Sequence, residues 1–158
     1  MVVDFVLYTF FVKPVMQMKE QYSLSEEPFA SKLFVPHDFV IMHIKFTKND
    51  LVFVFEDDVT YHDGIKELFP NIKSLILRFH LIDKKLFVYQ EKRKRFSWQK
   101  HGFYELDERK LPDLCKKGLE YLDHLFSYQS QSVMIELWTF SGEIRIKANV
   151  NFIEYEWI

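Results

Sequence analysis

The chain has 158 residues, a formal net charge of −2 and 48% hydrophobic residues, which argues against global disorder and against a general nucleic-acid binder. Its one cysteine, Cys115, excludes an intramolecular disulfide framework. Aromatic residues make up 18%, with 17 Phe, so the core is expected to be built largely from rings.

Met1 to Val12 is apolar apart from Asp4 and Thr9. It is too short for a membrane span, which needs about 20 apolar residues. It lacks the basic start and small-residue cleavage site of a signal peptide. It reads as a buried strand, and the protein as cytoplasmic. Lys13-Pro14 ends that strand, since proline cannot donate to a ladder. Residues 13–36 hold Pro14, Pro28 and Pro36 and read as an irregular, mobile excursion, with a short element near Val15–Tyr22.

Residues 38–57 read as a hairpin. Val40, Met42, Ile44 and Phe46 alternate with Ile41, His43 and Lys45, Asn49-Asp50 makes the turn, and Leu51–Phe55 returns. Glu56-Asp57-Asp58 marks a return to solvent. One helical turn fits Gly64–Phe69 before Pro70. A second hairpin is expected, with Leu75, Leu77, Phe79 and Leu81 on one face, a turn at Asp83-Lys84, and Leu86–Tyr89 returning. Leu111, Leu114, Cys115, Gly118, Leu122 and Leu125 recur at helical spacing, which predicts a helix over 111–126.

Folding about Ser141-Gly142 sets Leu137 opposite Ile146, Ile135 opposite Ala148, Trp138 opposite Arg145 and Glu136 opposite Lys147. A second fold near Asn149-Val150 sets Ile146 opposite Ile153 and Arg145 opposite Glu154. Both foldings turn the same residues inward, which predicts a three-stranded meander over 133–157. The expected fold is therefore α+β: one domain over 1–158, an antiparallel sheet of about seven or eight strands, and one main helix packed on it.

No pattern supplies chemistry. His37-Asp38, His62-Asp63 and Glu56-Asp57-Asp58 lack zinc-ligand spacing, and neighbours on a strand point to opposite faces. No metal or cofactor is expected. Cys115 on an apolar stripe reads as a packed thiol. Four glycines cannot build a phosphate-cradling loop with its supporting turns. Glu154 and Glu156 share a strand face and are expected to neutralise Arg145 and Lys147. Lys92-Arg-Lys-Arg95, with Phe96 and Trp98, is the one basic cluster, and the acidic total favours a solvated loop. An acid–base enzyme would need His37, His43 or His62 gathered with a carboxylate in a pocket.

The order of His37-Asp38 opening a strand, the Asn49-Asp50 turn, Leu51-Val-Phe-Val-Phe55, a Leu-rich helix and a closing Glu154-Tyr-Glu-Trp157 resembles small bacterial immunity-type proteins encoded beside polymorphic toxins. The resemblance covers the 37–57 hairpin and the C-terminal meander. It implies a non-enzymatic, stoichiometric inhibitor that binds a cognate toxin and blocks its active site or substrate path. The expected partner-binding residues are Glu56, Asp57, Asp58, Trp138, Glu154 and Glu156. The alternatives are a subunit or regulator of a larger assembly, with the aromatic surplus at an interface, and a small enzyme assembled from distant residues.

Overall fold

A computed structural model of the chain describes residues 18–24, 33–91 and 102–158. The expected strand at 2–12, much of the 13–36 excursion and the basic run Lys92–Arg95 lie outside the described residues. The elements are β1 (Met18–Ser23), β2 (Val40–Phe46), β3 (Asp50–Phe55), α1 (Ile65–Leu68), β4 (Leu75–Glu91), β5 (Phe103–Leu106), a 3-10 turn (Glu108–Lys110), α2 (Leu111–Cys115), β6 (Leu119–Ser127), β7 (Ser132–Thr139) and β8 (Gly142–Trp157).

All eight strands join one antiparallel sheet, and its pairings close on themselves. β8 pairs with β7, β7 with β6, β6 with β2, β2 with β3, β3 with β4, and β4 again with β8. The result is a six-stranded barrel. β1 extends it beside the C-terminal half of β8, and β5 beside the C-terminal half of β4. The β2–β6 seam is short, Val40 to Glu120 and Ile41 to Leu119. The Asp38 N–H donating to Tyr121 O and the Tyr121 N–H donating to Phe39 O lengthen it.

Closing so few strands demands steep tilt and stagger. Followed one way from Val40 the ladder reaches Glu143; followed the other way from His43, through Val54 and Ile76, it reaches Glu156. That stagger explains why β4 runs for 17 residues and β8 for 16.

The barrel interior is filled by side chains. Ile41, Phe53, Leu77, Phe79, Tyr121, Ile135, Ile146, Ile153 and Tyr155 are all fully buried. Rings meet edge-on through it: Phe53 lies 5.9 Å from Phe79 and 5.4 Å from Tyr121. At one end Phe34, Phe69 and Trp157 pack together, with Phe69 stacked on Trp157 at 4.2 Å.

The antiparallel sheet agrees with the sequence reading, but several of its parts need correction, and the protein is nearly all β. The helix over 111–126 exists only as the five residues of α2. Gly118, at φ +76°, ends it, and residues 119–127 continue as β6. The hairpin turn at Asp83-Lys84 does not occur. β4 passes straight through, and Ile82–Lys85 bulge opposite Asn149. The meander's second turn is also absent, because β8 runs unbroken through Asn149-Val150. Its first turn is real but tighter, a two-residue loop at Phe140-Ser141 that sets Thr139 opposite Gly142. Leu137 therefore faces Ile144, and Glu136 faces Arg145. The 38–57 hairpin forms, but its turn is Lys48-Asn49 rather than Asn49-Asp50, because Asp50 already belongs to β3, and a bulge at Met42 interrupts its alternation.

Candidate functional site: an acidic cleft at the barrel end

The segment 33–39 and the loop 56–72 cross the barrel end that holds Trp157. Between them lies an open cleft of about 370 Å³ lined by Phe34, His37, Asp38, Tyr61, His62 and Asp63, among others. Both His-Asp pairs of the sequence thus meet in one place. The opposite-faces argument does not apply to them, because both pairs sit in turns rather than strands. Asp38 takes φ +65°, a left-handed conformation that Asp tolerates, and this turns the chain sharply into β2.

Glu56 organises the cleft from behind. Its Oε1 accepts from His62 Nε2 at 2.7 Å and from the Val40 N–H at 3.2 Å. Its Oε2 accepts from the Tyr61 hydroxyl. A carboxylate only accepts, so His62 Nε2 carries a proton in this contact. Nδ1 has no hydrogen-bond partner among the described residues. The His62 ring stacks between Phe39, at 4.3 Å, and Tyr61, at 4.2 Å. This three-ring stack runs from the core to the surface: Phe39 is 1% exposed and Tyr61 63%.

Burial first, then the Glu56 hydrogen bond and charge, push the Tyr61 phenol up to about 12. Tyr61 is therefore a neutral ring held flat at the surface. On the other wall His37 Nδ1 lies 2.9 Å from Asp38 Oδ2. Asp63 makes no hydrogen bond or ion pair with any described residue and is exposed. Among the described residues no Lys or Arg lines the cleft. An anionic ligand would meet no counter-charge there, whereas a cation would meet carboxylates and a ring face. Among the described residues neither Ser nor Cys lines it, so none of them stands as a nucleophile beside His62.

A buried polar chain ties this cleft to the barrel interior. The Tyr155 hydroxyl donates to Phe34 O at 2.7 Å, which anchors the cleft segment. With that proton committed, the Tyr155 oxygen is left to accept from His124 Nε2, a long contact at 3.5 Å. His124 Nδ1 in turn accepts from the Tyr121 hydroxyl at 2.7 Å. Desolvation lowers the His124 pKa to about 4, so the ring is neutral.

The expected partner-binding residues do not gather on one surface. Asp57 and Asp58 are exposed at the cleft end, but the Glu56 side chain turns inward to its three donors. Glu154 and Glu156 are largely buried: Arg78 and Lys19 hold Glu154, and Lys19 lies 3.5 Å from Glu156. They do not neutralise Arg145, which pairs with Glu136 and Glu143. Trp138 is 41% exposed on the outer face of the barrel, opposite Glu120 and Glu143. His43 is exposed on β2, away from the cleft lining. Cys115 is half-buried, its Sγ donates weakly to Leu111 O, and burial raises its pKa.

Sequence reasoning missed the Glu56–His62–Tyr61 unit and the Tyr121–His124–Tyr155 chain. Only the density of His and acid between 37 and 63 hinted at the first. Among the described residues no group of three His, Cys, Asp or Glu could hold a metal ion, and no helix is long and apolar enough to cross a membrane. Comparison with known families, curated proteins and solved structures finds no match. The immunity-type resemblance gains no support there, and function rests on the geometry alone.

Proposed function

We propose that the chain is a non-enzymatic, stoichiometric protein-binding inhibitor that docks a basic partner on the acidic barrel end. One observation carries the reading. Residues 56–67 expose Asp57, Asp58, Asp63 and Glu67, with Lys66 the one Lys or Arg in that segment and Lys73 near Asp58. The same loop exposes Tyr61 at 63% and Leu68 at 65%. Acidic residues around exposed apolar anchors suit a positively charged protein surface, both for steering and for burial. A bacterial toxin with a basic substrate cleft is a partner of this kind, and immunity against it is the specific role we assign. The filled barrel interior fits a protein that works through its surface.

The test is growth. The gene beside this one in the source genome, expressed alone, is expected to arrest cells, and coexpression of this chain to restore growth. Asp57→Asn/Asp58→Asn is expected to weaken the rescue. Equal growth with and without the chain would sink the proposal.

A second reading is favoured by the Glu56-oriented His62, whose Nδ1 could serve as a general base. It would move a proton on a neutral or cationic small molecule. Loss of such turnover in His62→Gln, with the fold intact, would distinguish it from docking.

A further inference from the structure

We infer that the cleft takes a single arginine side chain, presented by the basic partner proposed above. The inference rests on that docking reading and names its anchor.

Three features of the cleft fit a guanidinium together. The first is Tyr61. Its hydroxyl is bonded to Glu56 and one ring face is stacked on His62, while the residue remains 63% exposed. An aromatic ring this exposed is ordinarily mobile; this one is fixed and leaves its other face to solvent. A flat, delocalised cation stacks on such a face better than a compact ammonium does. The second is Asp63, whose carboxylate no described residue engages. A free carboxylate can accept a guanidinium bidentately, which Lys cannot match. The third is the wall of Phe34 and Val35, which offers apolar surface to the aliphatic stem of the side chain. The volume of about 370 Å³ admits the whole side chain, and among the described residues no Lys or Arg occupies the lining.

The other features of the molecule carry less. The apolar cleft of about 380 Å³ beside Leu111 and Pro112 includes Arg109, which is already clamped by Asp107. The exposed outer face around Trp138 has nothing that indicates its occupant.

The experiment is a two-dimensional amide NMR titration of the whole chain with N-acetyl-arginine amide, and in parallel with N-acetyl-lysine amide. The arginine probe is expected to bind saturably, shifting Asp38, Tyr61, His62 and Asp63, and to bind about fivefold more tightly than the lysine probe. Asp63→Asn is expected to weaken it by about fivefold. Asp63 is exposed and bonds no described residue, so this variant should keep its fold; Asp38→Asn is a second check, because Asn also tolerates the left-handed backbone. Shifts scattered over all acidic surfaces, equal affinity for both probes, or an unchanged affinity in Asp63→Asn would overturn the inference. If the probes fail while Asp57→Asn/Asp58→Asn still weakens growth rescue, the docking reading stands and only the arginine anchor falls. If the rescue itself is absent, the docking reading falls by its own test.

Discussion

The Tyr121 hydroxyl donates a 2.7 Å hydrogen bond to His124 Nδ1, although the two residues lie three apart on one strand. In a regular strand they would face opposite sides. A bulge opposite Glu136 absorbs the extra residue: Tyr121 pairs with Leu137, but Asp123 already pairs with Glu136. Both rings therefore point into the barrel, while Leu125, expected on the apolar stripe, is 57% exposed.

That bulge has a pH signature. Burial lowers the His124 pKa from 6.5 to about 4. Between those values the unfolded chain binds a proton that the folded chain excludes. Stability is thus complete above about pH 6.5 and falls as pH drops toward 4, by about 3 kcal/mol in all. His124→Leu should cost about 1–3 kcal/mol at pH 7, because the Tyr121 hydroxyl loses its acceptor in the core. The gap between wild type and variant should then narrow as pH falls. Urea unfolding at pH 7 and pH 4.5 measures it, and a pH-independent gap would contradict the assignment.

Gly142 closes the β7–β8 loop at φ +121°, and a Cβ there would lie 2.9 Å from Glu91 Oε2. The backbone conformation is the larger problem, since the flexible carboxylate can move aside. Gly142→Ala is expected to destabilise by roughly 1–3 kcal/mol. Thermal unfolding should show a clear drop in Tm; an unchanged Tm would mean the loop adopts another turn.

The Tyr61 phenol, held near 12, owes part of that rise to Glu56. In Glu56→Gln the charge and the carboxylate acceptor both go, so the phenol should ionise at lower pH than in the wild type. A residue-resolved NMR titration between pH 9 and 12 reads this directly. An unshifted Tyr61 would show that burial alone sets it.

Trp138 discriminates between docking surfaces. It is 41% exposed on the outer face, whereas the acidic cleft lies at the Trp157 end. Trp138→Ala should leave growth rescue intact and change stability by less than about 1 kcal/mol. Loss of rescue with a normal fold would move the docking surface to the outer face.

Cys115 should alkylate more slowly than a free thiol at pH 8, since burial raises its pKa and reduces the thiolate fraction. A rate equal to that of free cysteine would show the thiol to be accessible in solution.

Legibility varied with the range of the forces involved. The 38–57 hairpin could be read because its turn and both strands are local. There Thr47 Oγ1 accepts from the Asn49 and Asp50 N–H groups and ties the turn. In the β7–β8 hairpin the inward set Ile135, Leu137, Ile146 and Ala148 was read correctly, but the register was two residues off. An even shift keeps every side chain on its face, so the alternation alone could not detect it. The helix over 111–126 failed at Gly118. Spacing on both sides suited a helix, but pairing of β6 with β7 and β2 overrode it. At the site, the acidic charge of 56–58 was legible. The meeting of His37 with His62 was not, because it depends on two loops crossing the same barrel end.

By itself the sequence determined that the chain forms antiparallel strands, which residues of the β7–β8 hairpin face inward, and where the strands become irregular. It marked Asp83-Lys84 and Asn149-Val150 as breaks. Only the tertiary structure decided what those breaks are: bulges set against each other in one long β4–β8 pair, with Asn149 Nδ2 donating to Asp83 Oδ2 at 3.2 Å. A polar dipeptide that permits a hairpin permits a bulge equally well. Closing six tilted strands into a barrel needs long, bent members, and that requirement resides in the ring of pairings rather than in any local stretch of residues.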